Sequence, residues 1–284
     1  MAKLDRLGWA AELSMRACGL NIGIRTNSEE LLDTIRLRLP VEWRPSASSV
    51  VGRLYSIIGA TDQRMGTRRF NILYANSLQI VRTFNSSDVL NLFESDLGIY
   101  LAENSSQRLF VHAAAVGWNN RVAVIPGRSQ TGKSMLTREL IRAGATYYSD
   151  EYALFDRHGW VHPFHRPLSF LNQSGREIQL RAQQLGSSMT ANARPISLVV
   201  LTHFKPAGHW KPSIVSRGSG VLGLLCNTPI ARTHPKKALA ILTKAVARAT
   251  VLRGSRGEAR ETAKMILRKM DSESLISSSR LQSE

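Results

Sequence analysis

Gly127-Arg128-Ser129-Gln130-Thr131-Gly132-Lys133-Ser134 is the stretch on which the fold turns. It fits G-x-x-x-x-G-K-[ST], a spacing in which loop N–H groups surround a phosphate, a lysine reaches the outer phosphates and a hydroxyl holds Mg²⁺. The flanks supply the context this chemistry needs. Val122-Ala123-Val124-Ile125-Pro126 is a short apolar run that reads as a strand. Met135 to Ala143 combines good helix formers with helical spacing. Strand, loop and helix in this order aim the loop amides and the positive end of a helix at one anion. Gly127, Arg128, Ser129, Gln130, Thr131, Gly132, Lys133 and Ser134 are therefore the candidate ATP-binding residues, with Lys133 also catalytic and Ser134 also a Mg²⁺ ligand.

Upstream, Leu109 to Val116 reads as a strand that turns at Gly117-Trp118-Asn119-Asn120 into the loop strand, so the loop is entered from a hairpin. Downstream, Gly144 caps the helix, Thr146 to Ser149 is a strand, and Tyr152–Phe155 with Trp160–His162 forms another hairpin. Residues 171–195 are polar and read largely as a loop; Ile196 to Thr202 is a buried strand, and helices are expected from Pro235 to Ala249 and from Arg256 to Met270. Residues 1–20 are weakly patterned. Between about 18 and 103, short strands, two helices and a hairpin around Ala75-Asn76-Ser77 predict an α+β region with mostly antiparallel pairing. The expected organisation is an N-terminal α+β region (1–105), a P-loop core (106–270) and a serine-rich disordered tail (271–284).

The chain has 284 residues, 43% of them hydrophobic, which suits a globular protein of one large or two modest domains. Its two cysteines, Cys18 and Cys226, exclude a zinc ribbon or a disulfide scaffold and point to a reducing, cytoplasmic setting. Charges at Lys3, Asp5, Arg6 and Glu12 interrupt any signal-peptide core, and no run of ~18 apolar residues predicts a membrane span. The net charge of +17 favours anionic partners. Its basic clusters are Arg64/Arg68/Arg69, Lys236/Lys237 and Arg253/Arg256, but no nucleic-acid motif or aromatic-interleaved basic stripe accompanies them.

Asp150 and Glu151 follow the first strand after the loop helix, and the compact unit predicts that this strand lies beside the loop strand. Two carboxylates there can divide the work of holding Mg²⁺ and accepting a proton from an attacking hydroxyl. His112, on the strand that pairs with the loop strand, is a candidate for proton handling near neutral pH. Arg253 and Arg256, read as a glycine-bearing turn before a helix, form a candidate phosphate or substrate clamp. The pair His162 and His165 reads as part of a proline-rich rigid loop, not as metal ligands.

Together these segments resemble the HPr kinase/phosphorylase family and its smaller relatives. The resemblance runs over roughly residues 109–170, with the order His112 strand, loop Pro126–Ser134, Arg142-Ala143-Gly144, then Ser149-Asp150-Glu151. Val251–Gly257 is loosely similar to the family's later arginine-glycine motif. It implies an α/β fold with a mixed sheet, a P-loop core like that of phosphoenolpyruvate carboxykinase, and transfer of the γ-phosphoryl group of ATP to a serine. It also implies Asp150 as base and Glu151 as Mg²⁺ ligand. The chain departs from the pattern at Glu151, where the family has Asp, at Gln130, where it has glycine, and in its N-terminal region. Size and loop setting are closer to the smaller relatives, such as lasso-peptide precursor kinases. The expected acceptor is thus a serine on a peptide or protein. A small-molecule kinase and a nucleotide-binding regulator or nucleic-acid-stimulated ATPase are the alternatives; a homo-oligomer is compatible with either.

Overall fold

The structure, a computed structural model, describes residues 4–5, 8–40, 42–60, 70–127, 131–171, 177–187, 190 and 192–281. Arg64, Arg68 and Arg69 of the first basic cluster lie outside the described residues, as do Arg128, Ser129 and Gln130 of the loop. The chain separates into two units, Met1–Gln107 and Arg108–Glu284.

The first unit is a six-stranded sheet with two helices. In chain order these are β1 (Ala11–Ala17), β2 (Leu20–Thr26), α1 (Glu29–Arg36), β3 (Arg44–Pro45), β4 (Arg53–Ile58), β5 (Asn71–Ala75), β6 (Leu78–Thr83) and α2 (Ser86–Asn104). The spatial order is β3-β1-β2-β4-β5-β6, antiparallel except for the parallel pair β2/β4. Helix α2 starts at Asn85, whose side chain accepts from the Ser87 N–H, and buries Val89, Phe93, Leu97 and Leu101 at four-residue intervals. Strand β1 falls where the sequence is read as weakly patterned.

The second unit comprises β7 (Leu109–Trp118), β8 (Arg121–Pro126), α3 (Lys133–Arg142), β9 (Thr146–Ser149), β10 (Tyr152–Phe155), β11 (Val161–His162), β12 (Leu168–Leu171), β13 (Glu177–Leu180), β14 (Ile196–Phe204), β15 (Ser213–Val215), α4 (Arg217–Leu225), α5 (Pro235–Val246), β16 (Thr250–Arg256) and α6 (Ala259–Leu281). Its eight-stranded sheet runs β11-β10-β7-β8-β14-β16-β15, with β9 on β7. Strands β8, β14 and β16 are mutually parallel, while β7 runs antiparallel to β8, so the sheet is mixed.

Alternation along these strands builds two cores. Ala113, Ala115, Val122, Val124, Val199 and Val251 face one way and pack with Leu224, Leu242 and Val246 of α4 and α5. Their neighbours Ala114, Val116, Ala123, Ile125, Val200 and Leu252 face the other way, onto Leu136 and Leu140 of α3 and Ile266 and Met270 of α6. A strand covered on both faces has no polar side, which is why these segments read as continuous apolar runs. The unit is thus a mixed α/β fold of three layers.

Four local expectations are revised. Part of the polar 171–195 segment forms the β12–β13 hairpin and a 3₁₀ turn, Ala182–Leu185. Helix α4 forms where no element is expected. Arg253 and Arg256 lie in β16, not in a turn. Helix α6 continues to Leu281, past the expected end of the ordered core at 270. Among the described residues, no helix is long and apolar enough to cross a membrane.

Candidate functional site

The loop leaves β8 at Gly127, whose N–H donates to the His112 carbonyl (3.1 Å), and enters α3 through Gly132. Gly132 has φ 78°, a left-handed conformation that demands glycine, and a Cβ there would stand 2.5 Å from Arg256 Nη2 and push the guanidinium off the loop. Lys133 opens α3 and is only 8% exposed. It adds a buried cation to the positive end of a helix whose first turn contains no acid. Burial lowers the Lys133 pKa, while Asp150 and Glu151 pull it upward.

Asp150 does not sit on a neighbour of the loop strand. Strand β9 pairs with β7, and β7 stands between it and β8. One edge of β7 carries β9 at residues 115–117 and β10 at residues 109–112, and the chain crosses between them at Asp150-Glu151. The crossing is held by the Ala113 N–H, which donates to the Glu151 carbonyl at 3.2 Å. Asp150 reaches the site because α3 lies over β7, and it meets the helix's first turn. The hydroxyl of Thr137, one turn after Lys133, donates to Asp150 Oδ1 at 2.9 Å, and the Ser134 side chain also hydrogen-bonds the carboxylate. Asp150 is 8% exposed. Burial raises its pKa; the Ser134 and Thr137 bonds and the Lys133 charge oppose the rise.

Glu151 points elsewhere. Its carboxylate is ion-paired with Arg166 of the segment between β11 and β12, and its side chain is 36% exposed. The two acids thus have different surroundings, one enclosed against α3 and one open.

His112 faces Tyr152 across β7/β10, with ring centroids 4.9 Å apart. Its backbone N–H donates to the Asn227 carbonyl at 2.6 Å. Its Nδ1 is buried and has no hydrogen-bond partner. Burial first, then the Lys133 charge, lowers its pKa to about 4, so the ring is neutral at physiological pH. A neutral imidazole can accept or pass a proton but cannot neutralise phosphate charge.

The two candidate clamp arginines separate. Residues three apart on a strand face opposite sides. Arg256 is buried and donates through Nη2 to the carbonyls of Gly132 (2.8 Å) and Thr131 (3.2 Å), while Arg253 is exposed. Arg256 therefore braces the loop from behind, and the two do not form one clamp. His162 pairs with Asp156 at 3.0 Å and His165 meets the Tyr147 carbonyl at 3.2 Å. Among the described residues no His/Cys/Asp/Glu group of three could hold a metal ion. Thr137 and Arg166 are the site residues that the sequence reading lacks. The i, i+4 spacing from Lys133 to Thr137 was a usable signal; nothing local pairs Arg166 with Glu151.

No protein-family model and no curated protein matches the sequence. Among solved structures, the HPr(Ser) kinase/phosphatase from Coxiella burnetii matches over 61% of this chain and 91% of that one, at 14% identity and a TM-score of 0.28. A likeness that distant carries no argument about activity.

Proposed function

We propose that the chain is a kinase that transfers the γ-phosphoryl group of ATP to a serine hydroxyl on a peptide or protein. The observation that carries this reading is the carboxylate of Asp150, hydrogen-bonded by Ser134 and Thr137 on the first turn of α3 beside buried Lys133. A buried lysine at a helix N-terminus favours a polyanion, and a hydroxyl tied to a carboxylate favours a hard divalent cation held through few protein oxygens.

ATP would supply the phosphoryl group and Mg²⁺ would neutralise charge developing on it. Lys133 and the N–H groups opening α3 bind the outer phosphates. Ser134 and Asp150 hold the metal, the Ser134 hydroxyl keeping its lone pairs available while its proton is donated to Asp150. Glu151, the more open acid, accepts the proton of the incoming serine once Arg166 yields. This exchanges the roles that the family resemblance implies for the two acids. Exposure supports the exchange, because a hydroxyl carried by a peptide reaches Glu151 more readily than Asp150. His112, neutral beside Lys133, leaves the phosphate charge to lysine and metal, and Arg256 holds the loop's shape.

The test is transfer of label from γ-labelled ATP to serine-containing peptides, with serine-to-alanine peptides as controls. Lys133→Ala and Asp150→Asn should each lower transfer by at least about 100-fold, the scale of a lost charge-stabilising group. Asp150→Asn should raise the Mg²⁺ concentration needed for half-maximal rate, whereas Glu151→Gln should lower kcat with the Mg²⁺ requirement unchanged. Full transfer by Lys133→Ala would end this reading.

A further inference from the structure

A second site lies at the other end of the same sheet. Strand β8 begins at Arg121 and ends at Pro126, five residue steps or roughly 17 Å away from where the loop starts. Beside Arg121 is a half-open cavity of about 620 Å³, bordered by the β7–β8 turn, the β10–β11 turn, the start of β14 and the end of α5. That volume lies in the range of pockets that take small ligands.

The cavity is built from braced parts. Asn119 and Asn120 both adopt left-handed backbone angles (φ 47° and 60°) and make the tight two-residue turn between β7 and β8. Gly159, with φ 84°, brings the β10–β11 turn so close to α5 that a Cβ would lie 2.5 Å from the Ala245 nitrogen. That approach sets Trp160 and His158 beside Lys244 and Arg248. The Trp160 N–H donates to Asp156 Oδ1 at 3.0 Å, which fixes the backbone from which the indole projects.

Its chemistry is one-sided. Arg121, Lys244 and Arg248 line the cavity, and no Asp or Glu does. None of the three makes an ion pair with a carboxylate among the described residues. The carboxyl end of α5 supplies roughly half a negative elementary charge, too little to account for three cations. Trp160 stays 46% exposed, although a ring of its size is normally mostly covered. Cations around a hollow call for an anion, and an open indole at its wall calls for a flat ring.

We propose that this pocket binds a small ligand joining a phosphate to a planar heterocycle, of the nucleoside phosphate class, with Arg121, Lys244 and Arg248 on the phosphate and Trp160 against the ring. This site is separate from the loop around Lys133 and does not rest on the kinase reading. Losing either would leave the other standing.

The test is titration of the full chain with AMP, followed by calorimetry and tryptophan fluorescence. Wild type and Lys133→Ala should bind one AMP at this site with similar affinity. The double charge reversal Arg121→Glu/Arg248→Glu should weaken that binding by at least about tenfold, as expected on replacing charge-assisted bonds by repulsion. Trp160→Ala should weaken it about fivefold or more and abolish the fluorescence response, in line with base–aromatic stacking. The pocket substitutions at Arg121, Arg248 and Trp160 lie at exposed or partly exposed positions, and unchanged circular dichroism would show that all the variants, including that at buried Lys133, are folded. Binding that vanishes in Lys133→Ala, or that ignores the charge reversals, would overturn the proposal. Sensitivity to the charges without sensitivity to Trp160→Ala would overturn the assignment of the ring.

Discussion

The Thr137 hydroxyl lies 2.9 Å from Asp150 Oδ1 and also 2.9 Å from the Lys133 carbonyl, so one buried side chain ties the acid to the turn that carries the lysine. A hydroxyl has one proton; given to Asp150, it fixes the carboxylate, and the contact with the Lys133 carbonyl is then only a close approach. Thr137 acts through Asp150 and is a positioning residue.

Thr137→Val keeps the shape and removes the donor. A hydrogen bond to a charged group is worth about 1.5–3 kcal/mol, so kcat should fall about 10- to 100-fold. The Mg²⁺ concentration for half-maximal rate should rise, and the melting temperature should fall as well, because the buried Asp150 carboxylate loses a donor. Thr137→Ser should restore most of the rate, which a purely structural role for the methyl group would not allow. Steady-state kinetics across a Mg²⁺ series reads all three.

His112 and Asp150 give stability opposite pH dependences. The folded-state pKa of His112 is lowered to about 4, so between pH 6.5 and 4 the unfolded chain takes up a proton that the folded chain refuses, and stability falls as pH falls. The Asp150 pKa is raised, so the folded chain keeps its proton above pH 3.8 after the unfolded chain has lost it, and stability falls as pH rises through that interval. Melting temperatures from pH 4 to 8 should therefore separate by variant. His112→Gln flattens the acid-side loss, and Asp150→Asn removes the opposing slope and leaves the protein at least as stable at pH 7.

Arg256 and Arg253 differ by three positions and should differ sharply in effect. Arg256→Ala removes the guanidinium bonds to the carbonyls of Thr131 and Gly132, the second of which keeps only the Leu136 N–H at 3.2 Å among the described contacts, so the melting temperature should drop by several degrees and KM for ATP should rise. Arg256→Lys should not restore KM, because a lysine presents a point charge where a guanidinium presents a planar fork. Arg253→Ala, on the exposed face of β16, should change neither quantity.

The loop and its flanks could be read from the sequence because they depend on local facts: an apolar run, two glycines and a helix-forming segment. What was not legible depends on contacts between distant segments. The expectation that Asp150 comes from the strand next to β8 assumed the shortest connection, whereas β7 is long enough to hold both β9 and β10 on one edge. Arg253 and Arg256 suggested a turn because of Gly254 and Gly257, but pairing with β14 and β15 makes the segment a strand and separates the side chains. Helix α4 was missed because Gly218, Gly220 and Gly223 lower its intrinsic propensity. Packing explains two of them: a Cβ at Gly220 would come within 2.7 Å of Val251, and one at Gly223 within 2.5 Å of Leu201. Strand β1 escapes the sequence reading, which finds residues 1–20 weakly patterned, although Leu13, Met15 and Ala17 do alternate with Glu12, Ser14 and Arg16 before a turn at Cys18-Gly19.

The two dry faces of β8, β14 and β16 have a further consequence. The side chains in the middle of these strands are committed to one layer or the other, so the sheet has no room for chemical novelty within its body. Variety belongs to the rims, at the start of β8 beside Arg121 and, for the loop around Lys133, at the rim where the three strands end together, at Pro126, Phe204 and Arg256. The scaffold beneath is indifferent to what that rim does, and one framework can be refitted for a new reaction while its foundations stay as they are.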